Sequence, residues 1–357
     1  MKKLKMMMAR ADGVCAGRMR RPGSGQRSET QTSLRTAITA VLPFHARCTA
    51  EAHLGLSDQG QLQHRHRADG AVRHFNPNDV AFKESQFLTY DILDASDYST
   101  GLLGRASDSN PDGLNQRRDE SFDTGNGSSA NGIAPLIDIY ELDWYSGSDL
   151  SGISLAMVVT AETVDSDNNS VSISQERLKV FAETQGKKLN SYMRDNFPEI
   201  SRNLPILITV YCLSDDATLP GNFIQQAYFT SNSANFTDID EEWLLLPSDD
   251  FEELDADVSS QFSTLKSGLS GVSPDDVFIV GKGRFVSGAL AELDITVNLH
   301  AKTGAEAIAL AQYIYGQTSL FTSTNYEISI DISSDNDHVA VIKRSAGSGD
   351  AQITMLI

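Results

Sequence analysis

Residues 153–160 read ISLAMVVT, residues 174–197 read SQERLKVFAETQGKKLNSYMRDNF, and residues 205–213 read PILITVYCL. These three stretches decide the fold. The first is an apolar segment of strand length. In the second, Leu178, Phe181, Leu189, Tyr192, Met193 and Phe197 recur at three- and four-residue steps, the period of a helix with one buried face. Ser174 stands where an N-cap belongs, with Glu176 and Arg177 in the first turn, and Pro198 closes the helix. The third stretch is a second strand. A polar loop, 165–170, lies between the first strand and the helix.

The same order returns further along. Residues 292–300 (ELDITVNLH) alternate through Leu293, Ile295, Val297 and Leu299. A helix is expected over 303–318, with Ala307, Ile308, Ala311 and Ile314 on its buried side. Thr303 followed by Glu306 has the spacing of a capping box. Residues 326–332 (YEISIDI) close this unit, and 338–344 (HVAVIKR) read as the hairpin partner. Between the two units, Ser248 is a further N-cap candidate. The apolar residues Phe251, Leu254, Val258, Phe262, Leu265 and Leu269 then mark one amphipathic helix.

The expected fold class is therefore α+β, with two tandem strand–helix–strand repeat units joined by an amphipathic helix and an irregular N-terminal head. The expected domains are a head at 1–74, an N-terminal segment with a Gly/Ser/Asn-rich linker at 75–132, and repeat units at 133–247 and 248–357. Whether the strands pair parallel or antiparallel is not legible.

Charge supports the boundary near residue 75. Residues 1–75 hold 13 basic and 5 acidic groups, and the remainder holds 16 and 43, for a chain total of −19. The acidic body repels nucleic acid and anionic surfaces. The basic clusters of the head lack the interleaved aromatics of a nucleic-acid-binding motif, so no nucleic-acid partner is expected. The chain opens MKKLK like the basic start of an export signal, but Arg10 and Asp12 interrupt the apolar core that should follow. At Cys15 the preceding residues are Asp12, Gly13 and Val14, a flawed lipidation box. The head thus reads as a degraded or out-of-frame leader.

The three cysteines, Cys15, Cys48 and Cys212, match no zinc or redox spacing, and Cys212 reads as a small buried hydrophobe. His64 and His66 lack a third metal ligand. Asp165, Asp167, Asn169 and Glu176 fall at positions 1, 3, 5 and 12 of a calcium loop. Position 6, however, is Ser170 where glycine makes the sharp turn, and a strand precedes the loop. A plain polar loop is the competing reading. Calcium is the one cofactor to be weighed, against none. The sequence 281–284 (GKGR) lacks the context of a phosphate loop, and 335–338 (DNDH) reads as a turn. No nucleophile or acid–base pair stands in a recognised setting, so an enzyme is not expected. The alternatives are a calcium-dependent binding module using the loop above, or a cell-envelope hydrolase with an unidentified carboxylate pair. Trp144, Tyr145 and Trp243 are the aromatic candidates for ligand contact, with core packing the preferred reading.

Several collinear segments carry a family resemblance. They are VLPF at 41–44, FNPND at 75–79 leading to QFL at 86–88, and GLN at 113–115. IYELDWY at 139–145 follows, then PGNFIQQA at 220–227, which is the most specific. LLLPS at 244–248, VGKGRF at 280–285 and YEI at 326–328 complete the set. Together they resemble the CamS family, the sex-pheromone-precursor lipoproteins of Gram-positive bacteria. The resemblance implies an exported protein on the outer face of the cell membrane, held by a lipid on a cysteine, here Cys15. It implies a tandem α+β body. In this family the pheromone peptide is cut from the signal sequence, which leaves the body without a settled activity. The implied partners are the membrane, through the anchor, and an unidentified protein or envelope ligand.

Overall fold

The computed structural model describes residues 81–94, 100–216, 218–273, 277–300, 302–334 and 337–356. Cys15, Cys48, His64, His66 and the leader lie outside the described residues, as do Asp335 and Asn336. The fold is α+β, with mixed sheets and a few helices. The chain parts into two compact units. One takes the described residues up to Tyr211 together with Gln225–Thr237; the other takes Cys212–Ile224 and Asp238–Ile357.

In the first unit the chain enters through β1 (Ala81–Glu84) and the single-turn α1 (Tyr90–Leu93). A small hairpin follows, β2 (Ser121–Asp123) with β3 (Ser129–Asn131). The long strands β4 (Leu136–Ser146) and β5 (Asp149–Val159) form an antiparallel pair. Gly147 makes their turn at φ 65°, which glycine reaches without a steric cost. A second small hairpin, β6 (Glu162–Val164) with β7 (Ser170–Ser172), leads to helix α2 (Gln175–Asn196). Strands β8 (Ile206–Cys212), β9 (Asn222–Phe229) and β10 (Thr237–Asp238) complete a sheet of order β1-β4-β5-β8-β9-β10.

Residues Gly152–Val159 of β5 are all buried, which explains their nearly unbroken apolar run. Ile153 N–H donates to Pro205 O and Thr209 Oγ1 to Leu155 O, so the partners climb together and β5 lies parallel to β8. A parallel neighbour needs a long crossover, and α2 supplies it. The helix buries Leu178, Phe181, Leu189 and Met193, and the Ser174 hydroxyl accepts from Arg177 N–H as its capping role requires. The stretch 105–132 is mostly loop, but it is not merely a spacer. Leu114 and Phe122 are buried, and Asn115 holds Leu136 by donating to its carbonyl and accepting from its N–H.

The second unit begins with β11 (Glu241–Leu246), followed by α3 (Asp249–Leu254) and α4 (Ala256–Val272). The single amphipathic helix expected here is two. Asp255 breaks it in a non-helical conformation, φ −145° and ψ 80°, where its carboxylate accepts from Val258 N–H and starts a new helix. Nor does this helical pair stand between units: Phe251, Val258, Phe262, Leu265 and Leu269 belong to the core of the second unit. The expected face was right, except that Leu254 is exposed.

Strands β12 (Val277–Val286) and β13 (Ala289–Leu299) are an antiparallel hairpin turned by Ser287 and Gly288, at φ 52° and 74°. Strand β13 pairs parallel with β14 (Glu327–Ser334) through the crossover helix α5 (Gly304–Gln317). The Thr303–Glu306 capping box is present. Helix α5 buries Ala307, Leu310, Ala311 and Ile314, whereas Ile308 faces outward. Strands β15 (Asp337–Arg344) and β16 (Gln352–Met355) finish a sheet of order β11-β12-β13-β14-β15-β16. Strand β11 pairs only with residues 281–286 of β12. The preceding run Val277–Val280 therefore has β13 on one side and no strand on the other among the described residues. Phe278 on this run is 66% exposed and Val280 is 40% exposed.

Candidate functional site

The most heavily built polar site in the first unit lies on β4. Side chains two apart on a strand share a face, so Glu141 and Asp143 stand side by side. Both are buried, Asp143 completely and Glu141 to 3% exposure. They face the backbone of the segment that follows β1. Glu141 Oε1 accepts from Phe87 N–H at 3.0 Å and Oε2 from Leu88 N–H at 2.6 Å, while Asp143 Oδ2 accepts from Gln86 N–H at 3.2 Å. The remaining oxygen, Asp143 Oδ1, is buried with no N–H or O–H to accept from.

Burial raises the Asp143 carboxyl to about 8, helped by the negative charge of Glu141 and a hydrogen bond between the two side chains. The Gln86 amide and Lys83 pull the other way. Near neutral pH the pair therefore holds a proton, and Oδ1 is its natural seat. Lys83 Nζ sits 4.2 Å from the centre of the Tyr145 ring, whose phenol is raised by its burial and by Asp143 and Glu141.

A sealed carboxyl pair cannot reach a polymer substrate. Glycoside hydrolysis needs two carboxyl groups flanking an open cleft. Here both groups are under cover and committed to main-chain amides. The sequence did hold a signal for the pair: two acids at i and i+2 inside the apolar run 139–145.

In the second unit, Arg284 on β12 is buried between two acids. Its Nη1 donates to Glu241 Oε2 at 3.4 Å, and its Nε to Glu292 Oε2 at 3.0 Å. Glu241 also accepts from Phe223 N–H, and its backbone carbonyl takes a 2.7 Å bond from Asn222 Nδ2. These contacts fix the start of the 220–227 motif. Burial raises the Glu241 carboxyl, and Arg284 opposes that rise. Asp294 is half-buried on the same sheet, and burial followed by Glu292 pushes it up to about 6.

The calcium candidates fall on two elements. Asp165 Oδ1 accepts from the N–H groups of Asp167 and Asn169, and Oδ2 from the Asn169 side chain, in the turn between β6 and β7. Those bonds hold the Asp165 carboxyl below its ordinary range. Glu176 lies beyond β7, in the first turn of α2. Among the described residues, no three His, Cys, Asp or Glu side chains stand together as a metal site.

Of the aromatic candidates, Trp144 is core, 2% exposed, with Nε1 donating to Ser154 Oγ at 2.9 Å. Tyr145 and Trp243 are half-buried. Cys212 is buried. Gly281 and Gly283 lie within β12, and Gly283 runs so close under the Phe251 ring that a Cβ would sit 2.4 Å from it. Close packing, rather than a phosphate, accounts for that glycine. A groove of about 530 Å³ runs along α2 past Lys187, Lys188 and Tyr192 to Pro111 and Leu114. Lys187 is paired there with Glu183 at 2.6 Å.

No helix among the described residues is long and apolar enough to cross a membrane. A family model described as CamS sex pheromone cAM373 precursor matches residues 68–350. No curated protein matches the sequence. Among solved structures, the fold is similar to a sex pheromone precursor from Lactobacillus salivarius subsp. salivarius UCC118. That similarity has 19% identity and a TM-score of 0.68, over 81% of this chain and 85% of that one. It is also similar to the C-terminal domain of the sex pheromone staph-cAM373 precursor from Staphylococcus aureus, at 21% identity and a TM-score of 0.63, over 81% of this chain and 93% of that one.

Proposed function

The chain belongs to the CamS family of sex pheromone cAM373 precursors, and from that premise we propose that it is a cell-surface lipoprotein with a non-catalytic body. The observation that carries this reading is the extent of the family match, residues 68–350, which takes in both units. The body would lie on the outer face of the membrane, tethered by a lipid on Cys15, and would meet an envelope or protein ligand there.

The two units are further proposed to be tandem repeats of one design. Each has an edge strand, a long antiparallel hairpin, a helix crossing to a parallel strand, and two further strands, so that the sheet orders correspond position by position. The non-catalytic reading rests on the sealed state of Glu141 and Asp143 and on the pairing of Glu241 and Glu292 with Arg284.

Expression of the full chain in a Gram-positive host with a radiolabelled fatty acid tests the anchor. Label on the wild type and none on Cys15→Ser is expected, with the variant passing from the membrane to the soluble fraction. An unlabelled wild type, or equal membrane retention of both, refutes the anchor and leaves family membership untouched.

A further inference from the structure

The segment from residue 81 to residue 94 is where the chain enters the first unit, and its attachment has an unusual chemistry. Strand β1 adds to the sheet edge beside β4, with Lys83 opposite Asp143 and Glu84 opposite Leu142. At Ser85 the backbone turns through φ 51°, a left-handed conformation that is strained for a non-glycine residue. The chain then crosses the face of β4. Three successive amides, those of Gln86, Phe87 and Leu88, point down onto the two carboxyl groups. Leu88 is buried to 1% exposure, and the Phe87 ring lies 5.2 Å from that of Phe197.

Two carboxylates sealed side by side cannot both be charged without strong repulsion, so such a pair shares one proton. With the proton on Asp143 Oδ1 and donated to Glu141, one negative charge is spread over a cradle of three N–H groups. Bonds to a charged acceptor are the stronger kind, and one shared proton keeps that charge without the repulsion of a second. The groups facing the pair are Lys83 from β1, Tyr145 on the same strand, and the amides themselves; the residues opposite on β5 are the apolar Ile153 and Leu155. The fold does not need acids here. In the second unit, the strand after the corresponding edge carries Gly281 and Gly283, with the rings of Phe262 and Phe251 laid on them.

We infer that Glu141 and Asp143 form a proton-held latch on the entry segment: with one proton shared they grip the amides of Gln86, Phe87 and Leu88, and without it the two charges push the segment off the sheet. The latch would set how firmly residues 85–93 are held to the sheet, and it responds to the acidity of the surrounding solution.

The direction follows from linkage. When the segment lifts away, Asp143 returns toward its ordinary value near 4, whereas the closed form holds its proton up to about 8. The open fraction therefore rises with pH across that window, by up to ~10-fold per pH unit, and levels off beyond it. The latch is tightest in acid.

Hydrogen exchange of the full chain, followed by mass spectrometry from pH 4 to 9, reads this out. Rates are divided by those of a free peptide of the same sequence. Protection of a peptide spanning 85–93 is expected to fall steadily to about pH 8 and then flatten, while a peptide within α2 holds steady. Asp143→Asn, which donates the same hydrogen bond but cannot ionise, should abolish the slope and keep the protection. If that variant does not fold, Glu141→Gln removes the like charge and should move the end of the fall toward acid. Flat protection in the wild type overturns the latch. So does an unchanged slope in the variant that folds, or loss of protection in α2 in step with 85–93, which would make the pair an ordinary part of the core.

Discussion

Replacing Arg284 with methionine isolates the buried triad of the second unit. Methionine keeps much of the volume and apolar stem but takes the Arg284 guanidinium away from Glu241, which is 5% exposed. Stranding one member of a buried ion pair costs about 3–5 kcal/mol. The loss should depend on pH, and its sign is fixed. Burial already raises Glu241 in the wild type, and Arg284 pulls it back down. Without the arginine its folded-state value climbs well above the ordinary carboxylate range. A raised carboxyl stabilises the fold below its unfolded value and loses that contribution as pH rises through the folded one. Arg284→Met should therefore be costly at pH 8 and much milder at pH 5. Adding Glu241→Gln removes the stranded charge while keeping an acceptor for Phe223 N–H, and should recover most of the loss. Urea unfolding followed by tryptophan emission at both pH values measures all three differences. A single variant within ~1 kcal/mol of wild type, a loss equal at both pH values, or a double variant no better than the single one would refute the argument.

Gly283→Ala should destabilise the second unit by about 1–3 kcal/mol, because the new methyl group meets Phe251 at 2.4 Å and Leu290 at 2.9 Å; a shifted urea midpoint checks it. Thr303→Ala removes the hydroxyl that accepts from Glu306 N–H and should cost about 1 kcal/mol, read as a lowered melting temperature. Melting with calcium and then with chelator should give one temperature, since Asp165 already spends both oxygens on its own turn. A calcium-dependent rise would reopen that loop as a cation site.

Both crossover helices were legible, because a buried helical face is written in the 3.6-residue period and the caps are local chemistry. Ser174, Ser248 and Thr303 all cap as their spacing indicates. Strands β5, β8, β13, β14 and β15 were legible from apolar runs. Strand β12 was not, since Gly281 and Gly283 interrupt its pattern where rings pack onto the strand. The break at Asp255 was masked by an apolar period that continues through it. The two acids at i and i+2 within 139–145 were visible, but their partners were not: these are main-chain amides more than 50 residues away, which no side-chain pattern announces. Sheet direction too is a long-range property, fixed by the packing of the crossover helix rather than by any strand's own residues.

The short reach of β11 has a practical consequence. Val277–Val280 is a β-prone, uncharged run with no strand on one side among the described residues and with outward Phe278 and Val280. Such a run is a template on which strands from other molecules stack as the protein is concentrated or partly unfolds. Aggregation of this body should begin there. One lysine at position 278 would act as a gatekeeper, keeping the strand soluble without touching the core beneath it.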